Sequence, residues 1–463
     1  MTLWNHLRER MLQHPHQTVS ERGAKMTFEE LVIFAEALAE KLSRQSCCAV
    51  YCSTELANAI SLLGCIAAGV TAVPLSFRYG EKHCQRILKH LSPSLIIVDT
   101  EEGLGLLEIA DSDFYTPAPK PAFIMYTSGT SGSPKGAMLS EGAVLTNLQD
   151  IAAYYEIDAG DSILIARPLY HSAVLTGEFL LALTKGARIV FCSEPFNPIS
   201  VLKLMKTEHI TAFGATPTLL RLLARFTAKS KPPALRHLVI SGECMSEAVG
   251  REIADAFPEA RIYHVYGLTE ACPRVSYLPP QFFREAPDCV GIPLHSVKIQ
   301  LRDTDKSTTS TKNLREGMLW VKGKNLMTGY YKNPELTRRV LRRGWLCTGD
   351  IAEINERGWL KIKGRADDLI IRSGMNIYPR EIEDALRCDS RTSDVLVYAL
   401  ESDKTGTQIA MKISGSYQSE DEVRKLCVAL LPAYEIPSTI QLVKSIPRNG
   451  SGKIVRKYEN DRK

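Results

Sequence analysis

The segment Tyr126-Thr-Ser-Gly-Thr-Ser-Gly-Ser-Pro-Lys-Gly-Ala-Met138 concentrates groups that bind anions. It follows an apolar run, Ala122-Phe-Ile-Met125, that reads as a strand. Thr127, Ser128, Thr130, Ser131 and Ser133 carry hydroxyls, and Gly129, Gly132 and Gly136 let the backbone turn tightly. Successive N–H groups in such a turn form a concave anion site, to which hydroxyls add donors. Lys135 adds a point charge suited to phosphate. The spacing matches neither the GxxxxGKS/T loop nor a GxGxxG turn after a strand, which disfavours a P-loop nucleotidase and a dinucleotide-dependent dehydrogenase. Further along, Tyr266-Gly-Leu-Thr-Glu270 joins an aromatic face, a hydroxyl and a carboxylate, and a carboxylate oxygen suits a hard divalent cation. Leu346-Cys-Thr-Gly-Asp350 offers two acceptor oxygens suited to a pair of hydroxyls. Asn449-Gly-Ser-Gly-Lys453 places a cation behind flexible glycines.

These groups need a scaffold, and the surrounding pattern supplies an α/β one. Residues 49–52 read as a strand, Glu55 to Ala68 as a helix, 71–75 as a strand, His83 to His90 as a helix and 95–98 as a strand. Strand–helix alternation implies a parallel sheet covered by helices. The rhythm resumes at strands 162–166, 188–192, 211–214 and 237–241, with helices over 178–183, 199–207, 217–224 and 247–257 between or after them. The stretch 116–121 reads as a loop leading into the first motif. After about residue 290 short β-rich pieces with turn signals take over, at 297–301, 318–321, 350–354 and 359–362. Residues 303–313 read as an exposed hairpin tip. The expected organisation is a large multi-sheet N-terminal domain over 1–364 and a small α+β C-terminal domain over 365–463.

Taken in order, the motifs closely resemble those of the adenylate-forming superfamily of acyl-CoA synthetases, aryl-CoA ligases, luciferases and peptide-synthetase adenylation domains. Gly364-Arg-Ala-Asp-Asp368 and Gly374-Met-Asn-Ile-Tyr-Pro-Arg-Glu-Ile-Glu383 extend the match, which covers nearly the whole chain. The resemblance implies a reaction that joins a carboxylate to the α-phosphate of ATP, releases pyrophosphate and then forms a thioester. Two anions must meet, so positive charge must gather around the phosphates. On this basis Lys453 is the catalytic cation, Glu270 and Thr130 serve Mg²⁺, and Thr127 to Gly132 with Lys135 and Thr269 hold the phosphates. Tyr266 and Gly267 face adenine, Gly242 and Glu243 lie where the backbone approaches the nucleotide, Asp350 binds the ribose, and Arg365 donates to ribose or phosphate. In the family the C-terminal domain rotates between half reactions. The pivot maps to Asp367, and Gly374 maps to a tunnel for pantetheine. A second glycine, common just before it, is Ser373 here. The run Asn376 to Glu383 is closer to acyl-CoA synthetases than to peptide-synthetase domains.

The resemblance also locates the acid. Pro168-Leu-Tyr-His171 matches the segment whose histidine stands beside the substrate carboxylate. The position where an aspartate binds an amino group in α-amino-acid enzymes corresponds to Ser172, which argues against an α-amino acid. Other pocket walls map to Phe213, Gly214, Ala271 and Arg274. Arg274 could meet a second acidic group or form an internal ion pair, and a small aromatic or an aliphatic acid fits equally.

Composition sets the frame. The chain has 463 residues, with 57 Lys+Arg against 52 Asp+Glu. The excess is spread along the chain, which argues against a nucleic-acid partner. The 12 cysteines form no CxxC pair and no spacing that suggests zinc, so they read as reduced thiols of a cytoplasmic protein. The most apolar stretch, 57–75, is broken by polar residues, glycines and a proline and makes a poor membrane span. The expected enzyme is an AMP-forming acid–thiol ligase using ATP, Mg²⁺ and coenzyme A on a small carboxylic acid. It is expected as a monomer or homodimer and, with few residues after Lys453, as a stand-alone ligase. One alternative passes the acyl group to the phosphopantetheine of an acyl carrier protein. A different-class alternative is a non-catalytic nucleotide- or acyl-binding protein on the same fold.

Overall fold

The computed structural model describes residues 1–76, 81–127, 134–192, 196–227, 234–303, 315–372, 375–402 and 406–447. By internal contacts the chain separates into two units. One comprises Met1–Gln300 with Trp320–Cys347, and the other Leu301–Leu319 with Thr348–Lys463.

The first unit is α/β, as its alternation implies. One sheet is built on parallel strands: Val19 aligns with Ile189, Ile189 with Ile163, Leu164 with Phe213, Leu238 with Phe213, and Leu238 with Ile262. The strands Arg274–Leu278 and Cys289–Pro293 extend it antiparallel. A second sheet pairs Cys47–Val50 in parallel with Thr71–Pro74 and Leu95–Thr100. Thr71–Pro74 in turn joins Pro121–Thr127. Central strands such as Ala212–Ala215 and His237–Ile240 are buried at every position. That is why they read as continuous apolar runs and not as alternating ones.

Helix ends follow local chemistry. Thr27 accepts a hydrogen bond from the Glu30 N–H while the Glu30 carboxylate accepts one from the Thr27 N–H, which closes a capping box at Phe28–Leu42. Thr54 caps Glu55–Ala68, which stops at Gly69 in the left-handed region, φ +62°. These two helices pack closely because Gly64 has no side chain: a methyl group there would lie 2.6 Å from Leu38 Cδ2. The core beneath gathers Phe28, Leu31, Leu38, Leu62, Leu63 and Ile66.

One element differs from the expected helix over 178–183. Leu175–Leu180 winds as a π-helix and passes into an α-helix only at Leu181–Lys185. The wider turn carries Glu178 into the interior, where it is 2% exposed. In the second unit, Thr392–Ser402 and Gly406–Gly415 pair antiparallel and Thr439–Leu442 joins in parallel. Helices Pro379–Arg387 and Glu420–Leu430 supply Ile382, Leu386, Val423 and Cys427 to a small core with Val395, Val397 and Met411. The expected tip at 303–313 lies, apart from Asp303, outside the described residues. No helix among the described residues is long and apolar enough to cross a membrane.

Candidate active site

The strands on either side of the predicted anion loop pair with each other. Pro121–Thr127 and Lys135–Ser140 pair antiparallel, with Thr127 opposite Lys135. Ser128, Gly129, Thr130, Ser131 and Gly132 lie outside the described residues. The hairpin base is tightly built. A methyl group on Gly136 would lie 2.7 Å from Ile124 Cγ2 and 3.1 Å from the Tyr126 ring. The Tyr126 hydroxyl is bonded to His90 Nδ1 at 2.8 Å, and burial pushes its pKa well up. Lys135 therefore starts a strand that cannot shift freely, which fixes its height in the sheet.

The Tyr266 motif sits at the end of the strand Arg261–Gly267. A register shift between Tyr266 and Gly267 lets the chain leave the sheet, and Gly267 then lies opposite Arg274. The approach is so close that a methyl group on Gly267 would meet the Pro273 carbonyl oxygen at 2.2 Å. One 3₁₀ turn, Thr269–Ala271, follows and presents Glu270. Glu270 Oε1 accepts a hydrogen bond from the Tyr330 hydroxyl at 2.6 Å, and its carbonyl accepts one from the Met327 N–H at 2.8 Å. Among the described residues its second carboxylate oxygen accepts no hydrogen bond. An oriented carboxylate with one oxygen to spare fits a hard cation.

The His171 segment reaches the same turn. His171 caps the short helix Ser172–Val174, its ring centroid 4.1 Å from that of Tyr170. The Ser172 and Thr269 hydroxyls are bonded at 3.2 Å. Ala271 is buried, and Asn325 Nδ2 donates to its carbonyl at 2.8 Å and to that of Arg274 at 3.0 Å. Asn147 clamps Arg274 from the other side. It donates to the Arg274 carbonyl at 2.8 Å and accepts from the Arg274 N–H at 3.0 Å. Two buried asparagines thus hold the Arg274 backbone.

Below these lies a buried charge cluster. Glu178 forms an ion pair with Arg167, and Arg167 Nη1 reaches Ser241 Oγ at 3.4 Å. Burial pushes the Glu178 carboxyl above the usual carboxylate range, opposed by the charges of Arg167 and Arg274. Gly177 and Gly214 make room for the charged ends. A methyl group at Gly177 would lie 2.7 Å from Arg274 Nη2, and one at Gly214 would lie 2.7 Å from Glu178 Oε1. Phe213, beside Gly214, is fully buried. Gly242, with φ +92°, turns the chain just after the strand His237–Ile240. Glu243 accepts from the Thr218 hydroxyl at 2.7 Å, which ties that turn to the start of the helix Pro217–Thr227.

On the second unit, Asp350 and Arg365 are cross-strand partners. Arg365 Nη1 donates to Asp350 Oδ1 and to the Thr348 carbonyl, each at 3.1 Å. Gly349, φ +76°, lies under the guanidinium; a methyl group there would be 2.9 Å from Nη2. The pair therefore presents one carboxylate and one fork of donors side by side, a surface suited to a sugar hydroxyl or a phosphate. Asp367 is exposed in the turn Ala366–Asp368. Gly374 and Lys453 lie outside the described residues. Tyr330, Asn147, Asn325, Arg167 and Glu178 were not singled out from sequence. Only Glu178 left a trace there, as a lone charge in the apolar run from Leu175 to Leu183.

An open α/β body, a strand pair joined by a sequence rich in donors, and an oriented carboxylate beside an aromatic strand end define a nucleotide-binding enzyme class. Residues 7–331 match the family model described as AMP-binding enzyme, and the chain belongs to that family. Among its relatives is a feruloyl-CoA synthase from Amycolatopsis sp, 28% identical over 86% of this chain and 84% of the relative. A 2-succinylbenzoate–CoA ligase from Bacillus velezensis is 28% identical over 94% of this chain and 93% of its own. The solved O-succinylbenzoate CoA synthetase of Bacillus subtilis, in complex with its acyl-adenylate intermediate, superimposes with a TM-score of 0.85. The identity there is 25%, over 98% of this chain and 97% of that one. The same enzyme has been solved with ATP and a magnesium ion.

Proposed function

We propose that the protein activates a carboxylic acid with ATP and Mg²⁺ as an acyl-adenylate and passes the acyl group to coenzyme A. The observation that carries this reading is Glu270. It is oriented by Tyr330 in the turn that Ser172 joins, within a fold shared with an enzyme solved as its acyl-adenylate complex.

In the first half reaction a carboxylate oxygen of the acid attacks the α-phosphorus of ATP, and pyrophosphate leaves. Thr127, Ser128, Gly129, Thr130, Ser131, Gly132 and Lys135 are the proposed holders of the phosphates, with Lys135 supplying an ammonium. Glu270, together with Thr130, would hold Mg²⁺, which would supply positive charge to offset that of the phosphates. Tyr266 and Gly267 line the adenine, Gly242 and Glu243 the nucleotide edge, and Asp350 the ribose. Arg365 orients Asp350. Lys453 supplies the cation that stabilises charge in the transition state. His171 and Ser172 flank the reacting carboxylate, with Ala271, Phe213 and Gly214 as walls. In the second half reaction a thiolate attacks the acyl carbonyl carbon, the C–O bond to phosphate breaks, and AMP leaves with that oxygen. The C-terminal domain, 365–463, turns about Asp367 so that Gly374 lines the thiol's path.

Coenzyme A is the proposed acceptor because relatives matched over most of the chain are named as CoA ligases. The reduced-thiol reading of the cysteines supports a cytoplasmic location. The test offers each of a panel of carboxylic acids with ATP and Mg²⁺, and either coenzyme A or a phosphopantetheinylated carrier protein. Acyl-CoA, AMP and pyrophosphate in equal amounts are expected. Transfer to the carrier alone would replace coenzyme A by the rival acceptor, and bound ATP with no product would favour a binding protein.

A further inference from the structure

Arg274 is 3% exposed, yet its Nε has no hydrogen-bond partner, and its guanidinium forms no ion pair among the described residues. The nearby carboxylate, Glu178, is already paired with Arg167. Two guanidinium groups thus share one acid in a buried space, which leaves one positive charge in excess. Glu178 Oε2 is buried and also without a hydrogen-bond partner. A buried cation persists where it is paired or where a bound anion completes it. The side chain is also placed with care. Asn147 and Asn325 fix its backbone, and Gly177 leaves the space into which Nη2 projects. Its strand partner is Gly267, inside the motif that presents Glu270. Gly177, which faces it, lies one helical segment beyond His171 and Ser172.

We propose that the acid carries a second carboxylate, and that Arg274 is the residue that binds it. This rests on the activation of a carboxylic acid proposed above. The first carboxylate reacts beside His171 and Thr269, while the second pairs with the Arg274 guanidinium in the fork geometry that favours arginine over lysine. Because Glu178 is paired with Arg167, the excess charge stays on Arg274. A neutral tail in the same place would leave the guanidinium unpaired, so monocarboxylic acids of equal length are rejected.

The test measures acid-dependent pyrophosphate exchange by the whole protein on matched pairs of equal carbon number. Succinate, glutarate and adipate are compared with butanoate, pentanoate and hexanoate, and 3-(2-carboxyphenyl)propanoate with 3-phenylpropanoate. The expected result is a kcat/KM at least about 100-fold higher for the diacid in the best pair. Arg274→Met should cut that ratio by about 100-fold, chiefly through KM for the diacid, and Arg274→Lys should restore part of it. The wild-type ratios alone decide the matter if either variant fails to fold. Exchange supported equally or better by the monoacids would overturn the assignment while leaving acid activation intact. Exchange with no acid of either kind would overturn acid activation and this assignment together.

Discussion

At the scale of single residues, the reading turns on which polar groups are held and which are left over. Glu270 is held by Tyr330 at 2.6 Å, and its other oxygen accepts no hydrogen bond among the described residues. A hydrogen bond to a charged group contributes roughly 1.5–3 kcal/mol. Tyr330→Phe should therefore lower pyrophosphate exchange about 10- to 100-fold at limiting Mg²⁺. Saturating Mg²⁺ should recover part of the loss. A magnesium titration checks this, and an unchanged magnesium dependence would remove Tyr330 from the metal site. Glu270, Asp350 and Arg365 could be singled out from the sequence as candidates because each carries its chemistry inside a short run of characteristic neighbours. Tyr330 was not, because it meets Glu270 only through the fold, sixty positions away in the chain. Arg274 was ambiguous for a related reason. Sequence could offer either an internal ion pair or a ligand contact, and only the placement of Glu178 against Arg167 shows which partner is already taken.

At the scale of elements, alternation of apolar strands and amphipathic helices fixed most boundaries to within a residue or two. Glu55–Ala68 coincides with the expected helix, and Pro217–Thr227 runs past its expected end by a single turn. The π-helix at Leu175–Leu180 was not legible. Its hydrogen-bond pattern arises from burying Glu178 toward Arg167, a tertiary demand that no local propensity expresses. The order of strands was equally hidden, because crossovers decide it and the pattern along the chain does not. The segment at 271–274 shows how elements depend on distant side chains. Asn325 satisfies two carbonyls there from the far end of the unit, both bonds buried. Asn325→Ala should cost roughly 2–4 kcal/mol, since buried acceptors lose their donors. It should also reduce exchange more than the stability loss explains. Denaturant unfolding together with activity at matched folded fraction checks both parts.

At the scale of the whole molecule, the buried thiols set a stability limit at high pH. Burial pushes Cys52 up to about 12 and Cys427 up to about 11. Exposed thiols in the unfolded chain titrate near about 8.5. A group whose folded pKa is raised contributes stability that is fully present below its unfolded pKa and lost as pH rises through its folded value. Stability should therefore be level up to about pH 8 and fall steadily from about pH 9 to 12. Thermal unfolding across that range tests this, and Cys52→Ala with Cys427→Ala should flatten the decline.

The central claim is that the chain makes an acyl-adenylate and that Lys453 drives this step. The most direct measurement is acid-dependent ATP–pyrophosphate exchange by the wild type and Lys453→Ala, alongside thioester formation from a supplied acyl-adenylate and coenzyme A. Exchange should require the acid and Mg²⁺ and fall at least about 100-fold in Lys453→Ala, while thioester formation from the adenylate proceeds nearly unaltered. Acid-independent exchange, or equal loss of both half reactions, would contradict the account.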